Sequence, residues 1–77
     1  MAKLSKQEIR TQQIADKIRK LRIENGYSSY ENFAWDNNLP VRSYFRMESG
    51  TNFTIKNLFI ILDIHKVSLH DFFSDID

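Results

Sequence analysis

Residues 28–50 read SSYENFAWDNNLPVRSYFRMESG, and the reading of this stretch decides the fold. It carries two short helical patterns separated by a turn. Ser28, followed three residues on by Glu31, has the form of a capping box, in which hydroxyl and carboxylate satisfy the free N–H groups of a helix start. The spacing predicts a helix to about Asp36, with Tyr30, Phe33 and Ala34 facing inward. Asn37-Asn38 then breaks it, because asparagine tolerates the left-handed conformation better than most non-glycine residues. Pro40 suits the first turn of the next helix, where a missing N–H costs nothing. Ser49-Gly50 supplies a glycine stop. On this second helix Tyr44 and Met47, at i and i+3, form the inward pair.

The outward side of that helix is chemically unusual. Arg42 and Arg46 stand one turn apart and project together, with Val41 and Phe45 in the adjacent stripe. Two short helices joined by a tight turn form a unit whose second helix can enter the major groove of DNA. Arginine pairs bidentately with guanine, and an apolar side chain can meet the thymine methyl. Solvated surface arginines beside a partly buried Phe45 are the competing reading of the same four residues.

The flanking sequence supplies three more helices. Ser5 and Glu8 form another capping box, and Ile14, Ile18 and Leu21 make one apolar stripe that Gly26 ends. Residues 1–13 are either a basic extension or the first turns of this helix. Thr54 caps a helix through about His65, whose Ile55, Leu58, Phe59, Ile61 and Leu62 are predicted to be nearly buried. Ser68, with Asp71 after it, starts a last helix bearing Leu69, Phe72 and Phe73. The expected fold is a compact all-α, five-helix domain over 14–74 with an acidic tail at 75–77. Its expected core is Ile18, Leu21, Phe33, Ala34, Leu39, Tyr44, Met47, Leu58, Leu62 and Phe72.

Composition narrows the function. Seventy-seven residues make one domain with little room for an enclosed catalytic cavity. The absence of cysteine removes disulfides and cysteine-based zinc sites. His65 and His70 lack partners for a metal set, and His65 is expected instead to close its helix as a cation favoured by the dipole. No cofactor and no catalytic constellation are expected, so the chain reads as a binding protein and not an enzyme. No apolar run spans a membrane and no leader is legible, so the expected location is the cytoplasm. The net charge is only +1, but its distribution is uneven. Residues 1–25 hold seven Lys/Arg against three acids, and residues 51–77 hold two against four, so the molecule is dipolar.

From Ile18 to Phe73 the chain resembles the Cro/CI-type, lambda-repressor-like (XRE) helix-turn-helix family. The resemblance lies in Leu21-Arg22 and Gly26, Ser28 to Phe33-Ala34, Leu39, the run Tyr44-Phe45-Arg46-Met47-Glu48-Ser49-Gly50, Leu58 to Leu62, and Val67-Ser68-Leu69-His70-Asp71-Phe72-Phe73. It implies a sequence-specific transcriptional regulator that binds double-stranded DNA, with Val41, Arg42, Phe45 and Arg46 at base-reading positions. It further implies phosphate contacts from Ser28, Ser29, Ser43, Ser49, Thr51 and Asn52, and a structural salt bridge between Arg22 and Glu48. An antitoxin on the same fold, with a toxin as protein partner, is the alternative.

The sequence departs from the family pattern at the turn. Asn37 and Asn38 replace leucine and glycine, Pro40 replaces the Ser/Thr cap, and the start of the second helix carries one extra residue. Trp35 is expected to swing in and fill the space a leucine would occupy. A homodimer on DNA is expected, because one helix offers too few base contacts for a genome's competing sites. Phe73 and Ile76 of the last helix, or Trp35 where it is exposed, are its expected contacts.

Overall fold

The hydroxyls of Ser5, Ser29, Thr54 and Ser68 each accept a backbone N–H three residues ahead, and each starts a helix. A computed structural model describes residues 5–51 and 54–76 as α1 (Lys6–Glu24), α2 (Tyr30–Asp36), α3 (Val41–Ser49), α4 (Ile55–His65) and α5 (Leu69–Phe73). No strand occurs among the described residues. No helix among them is long and apolar enough to cross a membrane. The first turns of α1 therefore take in most of the segment before Ile14, and the Ser5–Glu8 capping box closes in both directions.

The cap of α2 lies one residue later than the sequence suggests. Ser29, not Ser28, accepts the Asn32 N–H at 3.3 Å, so the Ser28–Glu31 box does not form. Residues before it are committed to ending α1: Gly26, at φ +89°, lets the Tyr27 N–H reach back to the Arg22 carbonyl at 3.1 Å. Pro40 is also displaced by one, standing at the N-cap of α3 (φ −60°, ψ 123°) without a side-chain cap, while its carbonyl accepts the Tyr44 N–H at 2.9 Å.

Four helices end in the same way. A left-handed residue follows each, at Gly26, Asn38, Gly50 and Lys66. The next N–H then returns to a carbonyl five residues earlier: Tyr27 to Arg22, Leu39 to Ala34, Thr51 to Arg46 and Val67 to Leu62, at 2.8–3.1 Å. Tyr27, Leu39 and Val67 also pack against the core, so each reversal is pinned by hydrogen bond and apolar contact together.

The core gathers one face from every helix. Ile18, Phe33, Ala34, Tyr44, Met47, Leu58, Ile61, Leu62 and Phe72 form a single buried cluster, and Ala15 is buried as well. Leu21 and Leu39, expected inside, pack half-buried against its edge. Phe33 is its centre, with Tyr27 edge-on at 5.2 Å, Tyr44 tilted at 5.0 Å and His65 stacked at 5.2 Å. Trp35 does not swing in. It stays 60% exposed, and Asn37, at the position where a leucine was expected, turns its amide back to the Phe33 carbonyl at 2.9 Å. Ile55, Phe59 and Leu69 also remain outside, because the buried arc of α4 centres on Leu58, Ile61 and Leu62. Asp75 is not a free acidic tail: Lys17 pairs with it, and the same ammonium lies 5.2 Å from the Phe72 ring centre. That ammonium holds the Asp75 carboxyl below its ordinary range. Asp77 lies outside the described residues.

His65 is not a cationic helix end. Its ring stacks on Phe33, its Nε2 is buried without a hydrogen-bond partner, and burial lowers its pKa from the ordinary 6.5. The folded state therefore keeps the imidazole neutral while the unfolded chain still binds a proton. The stability it contributes is present above about pH 6.5 and is lost as the pH falls below that value. Thermal unfolding followed from pH 8 to 5 should show a steeper acid loss for the wild type than for His65→Leu. Equal slopes would mean that His65 is not the group responsible.

Candidate nucleic-acid interface

α3 is positioned from behind by one ion pair. Arg22 Nε donates to Glu48 Oε2 at 2.7 Å and Nη2 donates to Oε1 at 3.0 Å, a bidentate match of guanidinium and carboxylate. Arg22 Nη1 donates to the Tyr27 carbonyl at 2.8 Å, so the same side chain ties the end of α1 to α3. Both side chains are over 90% buried. Hydrogen bonding to Glu48 raises the Arg22 pKa further above its high ordinary value. Tyr44 lies beside the pair with its hydroxyl buried and without a hydrogen-bond partner, and burial pushes its phenol well above the usual range. The clamp named from the sequence is thus a formed and desolvated contact.

The stop of α3, two residues past Glu48, also lies against α1. A Cβ on Gly50 would meet Gln12 Oε1 at 3.4 Å, Ala15 Cβ at 3.6 Å and Thr11 Cγ2 at 3.8 Å. Those are ordinary contact distances, so it is the left-handed conformation of Gly50 (φ +79°) that favours glycine there. The early turns of α1 therefore brace the point where α3 stops. Only Gly50 itself was legible in the sequence; its neighbours on α1 carried no motif.

With Tyr44 and Met47 buried, α3 turns Arg42, Phe45, Arg46 and Ser49 outward on one stripe, at i, i+3, i+4 and i+7. Neither arginine forms an ion pair among the described residues. Phe45 is 47% exposed and leans on Tyr30, with ring centres 5.1 Å apart. Ser49 donates to the Arg46 carbonyl at 3.1 Å, with the Thr51 hydroxyl also 3.1 Å away. Val41 is half-buried against the core and stands at the edge of the stripe. Ser43 lies off the stripe, on a small cleft of about 100 Å³ that it shares with Leu39, Pro40, Asn57 and Ile60.

At the start of α2, Ser28 is exposed, and Ser29 already uses its oxygen to accept the cap hydrogen bond. Its hydroxyl proton remains available for donation. Asn52 lies outside the described residues. Among the described residues no three His, Asp or Glu side chains come together to hold a metal ion. One further basic residue belongs to this face. Arg19, one turn before Arg22 on α1, lines a groove with Tyr30, Phe45 and Ser49. Its spacing from Arg22 was the only signal that could have found it.

No family model, curated protein or solved structure matches the chain. Its chemistry is accordingly defined by geometry: a short helix, held rigidly from behind, that presents two unpaired guanidinium groups, a phenyl ring and a hydroxyl to solvent.

Breaking the buried pair on one side strands the other charge. Arg22→Met or Glu48→Gln alone should cost about 3–5 kcal/mol in urea unfolding, well above the ~0–1 kcal/mol of an exposed pair. The double variant should cost less than the two added together. Coupling energy indistinguishable from zero would remove the clamp.

Proposed function

We propose that the protein is a lambda-repressor-like, Cro/CI-type helix-turn-helix regulator that binds duplex DNA sequence-specifically with α3 in the major groove. The outward stripe of α3 carries this reading. Arg42 to Ser49 is eight residues, roughly 10 Å of helix from first to last, against a major groove about 12 Å wide. Arg42 and Arg46 suit guanine O6/N7. Phe45, with the exposed edge of Val41, suits a thymine methyl. Ser49 and Thr51, just past the helix end, suit phosphate, as do Ser28 and the Ser29 hydroxyl at the start of α2. Ser43 belongs with them only through its flank position.

The rigidity behind α3 supports the same reading. Base discrimination needs side chains held in register, and the buried pair with the Gly50 stop anchors the C-terminal end of the helix on α1. The regulator acts as a homodimer, two α3 helices one DNA turn apart, roughly 34 Å, on a pseudo-palindromic site. Its contacts are revised from the sequence expectation. Phe73 and Ile76 are half-buried against the core, whereas Trp35 and, on α4 and α5, Ile55, Phe59 and Leu69 are among the exposed apolar groups able to pair. That same set favours the second reading, a protein-binding module such as an antitoxin.

Arg46→Ala should weaken a selected cognate site by about 1–3 kcal/mol and relax base preference at one position, the size of one bidentate contact. Anisotropy titrations on cognate and random duplexes measure this, and footprinting on the selected site should show two protected half-sites. Equal losses on both duplexes would remove Arg46 as a base reader. No duplex binding at any salt would leave the protein-binding reading.

A further inference from the structure

Beside the stripe of α3 runs a shallow groove of about 260 Å³, bounded by Arg19 and Arg22 of α1, Tyr30 of α2, and Phe45, Glu48 and Ser49 of α3. Its charges are unequally committed. Both oxygens of Glu48 accept from Arg22, so the buried pair contributes no net charge. Arg19 is exposed and forms no ion pair among the described residues. Two acids of its own helix, Asp16 and Glu24, share another shallow groove with Arg19, but neither comes within ion-pair distance of it. Among the residues lining this groove, the Arg19 guanidinium on the α1 wall is the one charge not held in an ion pair. Opposite it on α3 stands Ser49, whose hydroxyl rests on its own helix and can be redirected at the cost of one exposed hydrogen bond.

We propose that this groove seats one backbone phosphate of the bound duplex, held between the Arg19 guanidinium and the Ser49 hydroxyl. The assignment rests on the reading of α3 as the groove-entering helix. A helix lying in the major groove has a sugar–phosphate strand along each side, and a residue on the neighbouring helix meets that strand, not base edges. Guanidinium is the cation whose planar fork matches phosphate oxygens. The Tyr30 and Phe45 rings make an apolar wall against which the contact is partly shielded from water. Arg19 thus makes α1 part of the DNA interface, and it contributes affinity without sequence preference.

The test compares wild type, Arg19→Ala, Arg19→Lys and Arg46→Ala on a selected cognate duplex and a random duplex between about 50 and 200 mM salt. One phosphate contact contributes about 0.9 to the log–log salt slope, which corresponds to about fivefold in affinity near 150 mM. Arg19→Ala should lower affinity on both duplexes by that factor and flatten the slope by about one, with an unchanged melting temperature. Arg19→Lys should restore the slope because the charge returns. Arg46→Ala should instead lose affinity selectively on the cognate. An unchanged slope and affinity in Arg19→Ala, with wild type still binding, would overturn the groove assignment alone. A loss confined to the cognate duplex would also overturn it, by making Arg19 a base reader. A wild type that binds neither duplex would overturn the reading of α3 itself.

Discussion

The contact on which the rest of the structure depends is the bidentate pair of Arg22 and Glu48. It is buried at the junction of the end of α1, the turn after it and the last turn of α3, and one guanidinium serves all three. A buried ion pair adds little net stability compared with apolar residues of the same shape, because two charges must leave water. What it adds here is geometry. Two parallel N–H···O bonds fix the rotation of α3 as well as its distance from α1, and an apolar contact does not define that angle as sharply. With the rotation set, Tyr44 and Met47 go in, and Arg42, Phe45, Arg46 and Ser49 go out.

The short connections follow from a single device. Each of the first four helices ends in a left-handed residue whose successor bonds back into the last turn, and three of those successors also plug the core edge. The chain reverses without long loops, so five short helices surround one aromatic centre at Phe33. Glycine meets the left-handed requirement without strain at 26 and 50. Asn38 meets it at some cost, and Lys66 carries the full penalty of a side chain at positive φ. The interior is not perfectly satisfied, since His65 Nε2 and the Tyr44 hydroxyl are both buried without partners. Each is tolerated because its ring packs against Phe33, and the aromatic contact offsets part of the polar loss.

The surface carries the consequences of this frame. Among the described residues the arginines of α3 form no ion pair, and Arg19 on α1 stands close enough to extend their face. Lys17 takes a different part, drawing Asp75 back onto α1 and so fastening the end of α5 beneath Phe72. The basic N-terminal half of the sequence is therefore divided. Some of its charge holds the domain together, and some remains free to meet a polyanion.

By itself the sequence determined the helices and where most of them begin and end, because capping and stopping are local chemistry. Ser5, Thr54 and Ser68 cap as read, and Gly26, Asn38 and Gly50 stop as read. It also determined the inward pair Tyr44 and Met47 and, through resemblance, the Arg22–Glu48 pair. Tertiary structure decided the rest, wherever two local solutions had similar energy or the outcome depended on distant neighbours. The cap of α2 moved from Ser28 to Ser29 because residues 25–27 were needed to close α1. Trp35 stayed in solvent while Asn37 turned its amide onto the backbone of α2, an outcome no local pattern records. Lys66 became left-handed because Val67 had to reach the core, a demand that no property of lysine announces. His65 is neutral because Phe33, thirty-two positions earlier in the chain, covers its ring, and no pattern within α4 records that contact.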